Sequence, residues 1–495
     1  MRIINYEELV NHGNIKGRKR MAEIMEAGLS AGNPYNNTRK LIKLEGNTLT
    51  FEHPLMEPAG DPHSGPAVFD LKEIDRIFLF GIGKGIQHIT KAVEDVLGGR
   101  ISGGFVIAKH GDGVIMERVE VILAGHPVPD EYCLIACKKL LDMVETAHFT
   151  ERDLVITATG NGCGSLCTLP AEGITLEDVK AYTYMCQIEC GMTTPELSFI
   201  RNQIDRIRGG RLLRKFMPAR MINLLGIRPG ARRGNLEGYE ALTKANMWLP
   251  LLPDATTAEG ALEICKKWNI LDNIPASIRK RLLAIADKPN ETLSAAEYET
   301  MNCRVFGVMP YGLNALNAAM DKACELGFEP HLMTETTFCE ASTIGHFMAQ
   351  IALHIAHNDT PFKAPCALFA SGELITTVGD ETGIGGTNQE YCLAAAQLLK
   401  DNPRVVMSAV DTDGNDGPGG EFIPDATARG ITVLAGGMVD GWTFSEASKR
   451  GVDIPDAIKR HDSSQALWRL DSGIAAAPTI RDGDLHCTLI LPREE

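Results

Sequence analysis

Asp411-Thr412-Asp413-Gly414-Asn415-Asp416-Gly417-Pro418 holds three carboxylates within six residues, directly after the apolar run Val405-Val406-Met407-Ser408-Ala409-Val410. The pattern predicts a strand that delivers acids onto a tight loop. Carboxylates this close repel one another. Such a loop is stable in water, under backbone N–H donors, or beside a cation such as Mg2+ that also carries phosphate. Ordinary Asp-Gly and Asn-Asp-Gly-Pro turn chemistry accounts for the same residues, so other loops must decide. Asp411, Asp413 and Asp416 are the expected metal ligands.

Glycine turns supply the complementary chemistry. Gly81-Ile82-Gly83-Lys84-Gly85 sets a lysine between glycines just before a helix, where exposed N–H groups and the helix end favour an anion. It is neither a Walker A loop nor a complete dinucleotide fingerprint. Gly160-Asn161-Gly162-Cys163-Gly164-Ser165 and Gly383-Ile384-Gly385-Gly386-Thr387-Asn388-Gln389-Glu390 are two further candidate cradles for phosphate or carboxylate. Each is also readable as a tight turn or a close strand-to-helix crossing. Gly125-His126-Pro127-Val128-Pro129-Asp130-Glu131 reads as a rigid loop that caps a helix. A predicted helix over Leu197 to Leu213 bears Arg201, Arg206, Arg208, Arg211 and Arg214. Arg201 and Arg211 are the candidates for a carboxylate clamp, and the others read as a solvated face.

The elements that must position these loops alternate. Short apolar runs at Arg76–Phe80, Gly104–Ala108, Val119–Leu123 and Leu154–Ala158 are separated by helical stretches such as Gln87–Leu97, which predicts βαβ units and a mainly parallel sheet. Ligands then belong at the carboxyl ends of the strands. A polar stretch around Asp287 to Thr292 suggests a domain connection, giving domains over 1–290 and 300–495. The second half carries helices over Tyr311–Leu326 and Glu340–His357, a strand at Ala367–Ala370 and a β run ending at Val378.

With 495 residues and 44% hydrophobic content the chain has material for two domains, and a net charge of −15 argues against nucleic acid as a partner. The first residues lack the apolar core of a signal peptide, and no run approaches roughly 18 apolar residues. A soluble, cytoplasmic protein without a membrane partner is expected. Thirteen cysteines, including the i,i+4 pairs Cys133/Cys137, Cys163/Cys167 and Cys186/Cys190, read as free thiols. His346, His354 and His357 read as part of an amphipathic helix.

Taken in order, these loops resemble the class II glycerate 2-kinase family, whose C-terminal half is the MOFRL domain. The resemblance runs from about Phe78 to Leu491. It rests on Gly81–Lys84, Gly125–Glu131, Arg201 with Gly209-Gly210-Arg211-Leu212, Leu252–Thr257, Gly372-Glu373, Gly386 with Asn388-Gln389-Glu390, Asp413–Pro418, His461-Asp462-Ser463 and Ala477-Pro478-Thr479. It implies a Rossmann-like N-terminal domain and a MOFRL-type α/β domain with the active site in the cleft between them. It further implies transfer of the ATP γ-phosphoryl group to D-glycerate with Mg2+ as cofactor. Lys84 and Asp413 are then the expected catalytic residues. Gly81, Gly83, Asn161, Gly162, Ser165, Arg201, Arg211, Glu373, Asn388 and Glu390 are expected to bind substrate or phosphate. The partners would be a small hydroxy acid and a nucleotide, in a chain compatible with a homo-oligomer.

The sequence also departs from the family. Met221-Ile222-Asn223-Leu224-Leu225-Gly226-Ile227-Arg228-Pro229-Gly230 replaces an acidic Ser-Asp-Val-x-Gly-Asp loop. Thr387 stands where the family has arginine, and the final Gly-Pro-Thr-Gly-Thr-Asn motif is reduced to Ala477-Pro478-Thr479-Ile480-Arg481-Asp482. Arg228, Arg232 and Arg233 are nearby charges that could substitute. The competing expectations are a kinase for glycerate or a related hydroxy or sugar acid, a paralogue acting on such an acid without phosphoryl transfer, and a silent binding protein.

Overall fold

The computed structural model describes residues 1–229, 235–310, 313–479 and 483–493. Gly230, Arg232, Arg233, Tyr311 and Ile480-Arg481-Asp482, all invoked above, lie outside the described residues. The chain forms two compact units, Pro34–Pro310 and Met1–Asn33 with Tyr311–Glu495. These bounds differ from the expected break between 290 and 300. The polar stretch there serves the interior of the first unit. Buried Thr292 donates to the Asp254 carbonyl at 3.2 Å, and the Leu293 amide donates to the Gly209 carbonyl at 2.9 Å.

In the Pro34–Pro310 unit a small antiparallel sheet joins β1 (Ile42–Glu45), β2 (Thr48–Phe51) and β3 (Ala67–Asp70). The main sheet joins β4 (Arg76–Ile82), β5 (Ile101–Lys109), β6 (Glu120–Ala124), β7 (Asp153–Thr159), β8 (Arg220–Leu225) and β9 (Cys303–Gly307) in the order β6-β5-β4-β7-β8-β9. All five pairings are parallel. Every residue of β7 is buried, as is β4 after Arg76, which explains their unbroken apolar runs: both faces of the sheet are covered. Three of the predicted strands lie within β4, β5 and β7, the fourth falls on β6 with Val119 one residue ahead of it, and the Gln87–Leu97 helix forms as expected. Succession runs outward in opposite directions from β4 and β7, so the topological switch point falls between these two strands.

The second unit contains β10 (Glu329–Thr337), β11 (Cys366–Gly372), β12 (Val405–Asp411), β13 (Gly436–Asp440), β14 (Gly473–Ile474) and β15 (Asp484–Ile490), ordered β10-β11-β15-β12-β13-β14. Only β10 and β11 pair in parallel, because β15 returns between β11 and β12 against both. Along β12, Val405, Met407 and Ala409 face one core with the helices Ala341–Asn358 and Thr387–Leu399, while Val406 and Val410 face another with Ile15–Ala31 and Ala315–Glu325. Period-two alternation thus sorts one strand between two apolar layers. The expected β run ending at Val378 is absent; between Glu373 and Gly386 the described backbone makes only an isolated bridge, Ile375 with Glu340. All thirteen cysteines are free. Among the described residues no helix is long and apolar enough to cross a membrane.

The N-terminal residues belong to this second unit for a physical reason. The Ile15–Ala31 helix buries Met21, Ile24, Met25 and Leu29 against β12 and β15, and fully buried Arg18 pairs with Asp440 at 2.5 Å. Burial alone would push the Asp440 carboxyl up, but Arg18 and the Asn14 and Trp442 amides outweigh it and hold the group below its ordinary value. A depressed acid stabilises the fold above its unfolded pKa, and that contribution is lost as pH falls through the folded value. Arg18→Met should therefore cost about 3–5 kcal/mol in urea unfolding near neutral pH, by stranding a buried carboxylate. The deficit should shrink as the buffer is acidified.

Candidate functional site

Because β4 to β8 run parallel, the loops that follow them collect along one edge of the sheet. The two beside the switch point are stitched together: the Lys84 amide donates to the Asn161 carbonyl at 2.7 Å and the Gly160 amide to the Ile82 carbonyl at 3.2 Å. Gly162 has φ +80°, and a Cβ there would sit 2.7 Å from Lys84 Cγ and 3.1 Å from His126 Cδ2. Only glycine lets the lysine stem and the imidazole close over this turn. Ser165 Oγ donates to the Gly125 carbonyl at 2.9 Å, tying the loop after β7 to the loop after β6. Asp130, as expected, caps the Glu131–Ala147 helix through the Cys133 amide, and it also meets His110 at 2.7 Å.

The charges acting on His126 are one-sided. His126 is pushed down to about 3, first by burial and then by the charges of Lys84, Lys109 and Arg201. It is therefore an uncharged ring among three cations at neutral pH. Arg201 is 8% exposed and donates through Nη2 to Gln187 Oε1 at 2.9 Å. Burial lowers its pKa to about 10, which leaves it charged at neutral pH. Its Nη1 lies 3.2 Å from where a Cβ on Gly164 would be, so it backs the glycine loop directly.

The expected helix over Leu197 to Leu213 divides into Thr194–Gln203 and Arg211–Phe216, because Gly209 and Gly210 adopt φ +63° and +76°. The break changes which arginine faces inward. Arg208, expected on a solvated face, is buried; Nη1 donates to the Gly164 carbonyl at 2.6 Å and Nε to Asn202 Oδ1 at 3.1 Å. Arg211, the expected clamp, braces the turn by donating Nη1 to the Asn202 and Arg208 carbonyls at 2.6 and 3.0 Å. Gly81 differs from expectation as well. It lies inside β4, where a Cβ would press on Thr90 at 2.8 Å, so it serves packing, while Gly83 abuts the Gly160-Asn161 backbone. Sequence reasoning missed Arg208 and His126 as members of this edge. The Gly-Gly break and the His-Pro dipeptide were the available signals.

In the other unit the acidic loop follows β12 as predicted. Asp411 Oδ1 accepts from the Asp413 amide at 3.1 Å, and Asp413 Oδ1 accepts from the Asn415 amide at 2.7 Å. Asp416 turns away from the metal role expected of it. Its carboxylate accepts from the Asn388 and Gln389 amides at 3.1 and 2.9 Å, from Asn388 Nδ2 at 3.1 Å and from the Thr387 hydroxyl at 3.2 Å. It therefore caps the Thr387–Leu399 helix from outside, with burial pushing it up to about 6. The glycine turn before that helix is closed by backbone: a Cβ on Gly386 would meet the Asp416 carbonyl at 2.2 Å. Asn388 Oδ1 lies 3.2 Å from His486 Nε2, Glu390 meets His461 Nδ1 at 2.6 Å, and Glu373 is exposed just past β11. Among the described residues no three His, Cys, Asp or Glu side chains converge as metal ligands.

Comparison with known proteins finds a family match in each half of the chain. Residues 20–226 match the domain of unknown function DUF4147, and residues 366–482 match the MOFRL family. The chain is 30% identical over 409 residues to D-glycerate 2-kinase of Thermotoga maritima, covering 82% of this chain and 88% of that protein. It is 28% identical over 452 residues to glycerate 2-kinase of Pyrococcus horikoshii, covering 91% and 92%. The crystal structure of the Thermotoga maritima glycerate kinase superposes with a TM-score of 0.71 at 27% identity, covering 96% of this chain and 99% of that one. Fold and matches together define a two-domain α/β enzyme of the phosphotransferase class. The chain belongs to the glycerate 2-kinase family, in which DUF4147 and MOFRL domains are joined.

The lowered His126 makes the edge sensitive to acid. The unfolded imidazole takes a proton near its ordinary value of 6.5 while the folded one resists until about 3. Stability is therefore fully present above 6.5 and falls as pH drops toward 3. Thermal unfolding of His126→Gln should show a shallower loss over that window than the parent, and equal slopes would remove His126 from the buried cationic edge.

Proposed function

We propose that this protein transfers the γ-phosphoryl group of ATP to a hydroxyl of D-glycerate or a related hydroxy or sugar acid, in the cytoplasm. The observation that carries this reading is Lys84 at the switch point, held against the Gly160–Gly162 turn and flanked by neutral His126 and by Arg201. Phosphoryl transfer depends mainly on positioning and on offsetting charge, with little covalent work for the protein. A lysine and a buried arginine along one strand edge supply positive charge for a carboxylate or a phosphoryl oxygen. His126, with so low a pKa, is a poor proton acceptor, and its role is to orient a substrate hydroxyl or carboxylate by hydrogen bonding.

The residues present fit Mg2+ in a reduced form. With Asp416 committed to the helix end, Asp411 and Asp413 would hold the ion, and Mg2+ ordinarily takes one or two carboxylates with substrate phosphates and water. When bound it would offset the negative charge of the phosphate.

A second reading, a paralogue that acts on a hydroxy acid without phosphoryl transfer, is favoured by two observations. Thr387, where the family has arginine, spends its hydroxyl on Asp416, and the Met221–Gly230 stretch, which replaces the family's acidic loop, contains no acid.

Incubation with ATP, Mg2+ and glycerate, erythronate or threonate should release ADP in an acid-dependent manner; no release from folded protein, beside an active family kinase, would favour the second reading. Lys84→Ala should lower kcat/KM about 10²-fold or more while leaving the melting temperature unchanged. Asp413→Asn should shift the Mg2+ titration of activity, whereas Asp416→Asn should chiefly lower the melting temperature. The reverse pattern would return Asp416 to the metal.

A further inference from the structure

Glu390 and His461 meet at the end of the second unit where β11 and β12 finish. Gly372 and Asp411, the last residues of those strands, both pair with Asp484 of β15, so the acidic loop and the turn after β11 leave the sheet at one edge. The Thr387–Leu399 helix starts at that same edge, since Asp416 of the acidic loop caps it, and Glu390 lies in its first turn. His461 follows the short Ile454–Lys459 helix and packs on the glycine turn beside it. A Cβ on Gly385 would lie 2.7 Å from the His461 carbonyl oxygen.

The pair has the form of a supported base. The Glu390 side chain is 3% exposed, and its Oε1 lies 2.6 Å from His461 Nδ1. Burial lifts the Glu390 carboxyl above its ordinary value, which makes its ionised form a stronger acceptor. A carboxylate only accepts, so in the neutral ring Nδ1 carries the hydrogen and Nε2 keeps a lone pair. Among the described residues Nε2 makes no hydrogen bond, and the imidazole is 17% exposed. His486, also near the helix start, is buried and its Nε2 already lies 3.2 Å from Asn388 Oδ1. The His461 backbone is strained as well. It has φ +55°, with its amide bonded to the Ile458 carbonyl at 3.1 Å and the Asp462 amide to the Ala457 carbonyl at 2.8 Å. Such a helix-closing position usually holds glycine. Histidine there adds strain that a purely structural turn does not need, and strain of this kind gathers at working sites.

We propose that His461, oriented by Glu390, is the proton acceptor for the substrate hydroxyl. The inference rests on the phosphotransferase reading and supplies what His126 does not, an imidazole whose outer nitrogen is open and whose inner one is held by a carboxylate. In the transfer step the hydroxyl oxygen bonds to the γ-phosphorus as its proton passes to Nε2. The bond from that phosphorus to the bridging oxygen breaks, and its electron pair leaves with ADP. The imidazolium so formed stands against the Glu390 carboxylate, as the histidine of a hydrolytic triad stands against its acid, and then gives its proton to solvent.

His461→Asn keeps a side chain that tolerates a left-handed backbone and can still donate to Glu390, so it separates a structural tether from a base. With the parent active on glycerate, erythronate or threonate, this variant should lower kcat about 10²-fold or more, with KM for the acid and the melting temperature close to the parent's. His461→Gly relaxes the backbone and empties the place of the ring. Free imidazole added to it should restore a large part of the lost ADP release, which a merely structural role would not allow. A His461→Asn protein that turns over like the parent, or a His461→Gly deficit that imidazole leaves untouched, would overturn the proposal and leave the phosphotransferase reading standing. A folded parent that releases no ADP with any of the acids overturns that reading itself, and the proton acceptor falls with it.

Discussion

The parallel pairing of β4 with β7 is the constraint on which the cationic edge depends. Their register, Ile82 beside Thr159, brings the chain out of both strands at the same height. The next residues of each then come within bonding reach of one another, as the Lys84 amide does of the Asn161 carbonyl. A slip of one residue would turn the apolar side chains of β4 toward the wrong layer. The same pairing that buries Phe78 and Phe80 therefore also fixes where Lys84 stands.

The edge also stores electrostatic cost. Arg201 and Arg208 are buried beside one another, and their guanidinium groups donate to the amide side chains of Gln187 and Asn202 and to the Gly164 carbonyl, with Arg208 Nη2 unsatisfied. Burying two cations beside a single buried acid, Asp205, which interacts with Arg208, is expensive. The depressed His126 reports the same field, since burial and three neighbouring charges all disfavour its proton. An anion arriving at these loops would relieve a cost that the folded chain already bears, which is how a preorganised site differs from a surface patch.

Much of this was legible in the sequence. The runs around Phe78 and Val155 announce buried parallel strands, and glycine placement marks the turns after them. What escaped were features decided by tertiary closure. Arg208 and Arg211 differ by three positions in one arginine-rich stretch, and only the left-handed Gly209-Gly210 turn determines which of them goes inside. The segment before Val378 carries β-prone residues but finds no strand to pair with. The Met1–Asn33 segment joins the far end of the chain because the apolar stripe of its helix matches β12 and β15, a pairing that no local pattern reveals.

The acidic loop shows how one capping choice redistributes function. A helix N-terminus offers unpaired amides that would otherwise welcome phosphate. Here the amides of Asn388 and Gln389 are given to Asp416, and the Thr387 hydroxyl joins them. With arginine at 387, a long cationic side chain could reach beyond that carboxylate. Threonine is too short to do so and adds one more donor to the same acid. The Thr387–Leu399 helix is therefore self-satisfied at its start. The amides that a phosphate would use at this helix start are therefore already taken by the chain's own carboxylate.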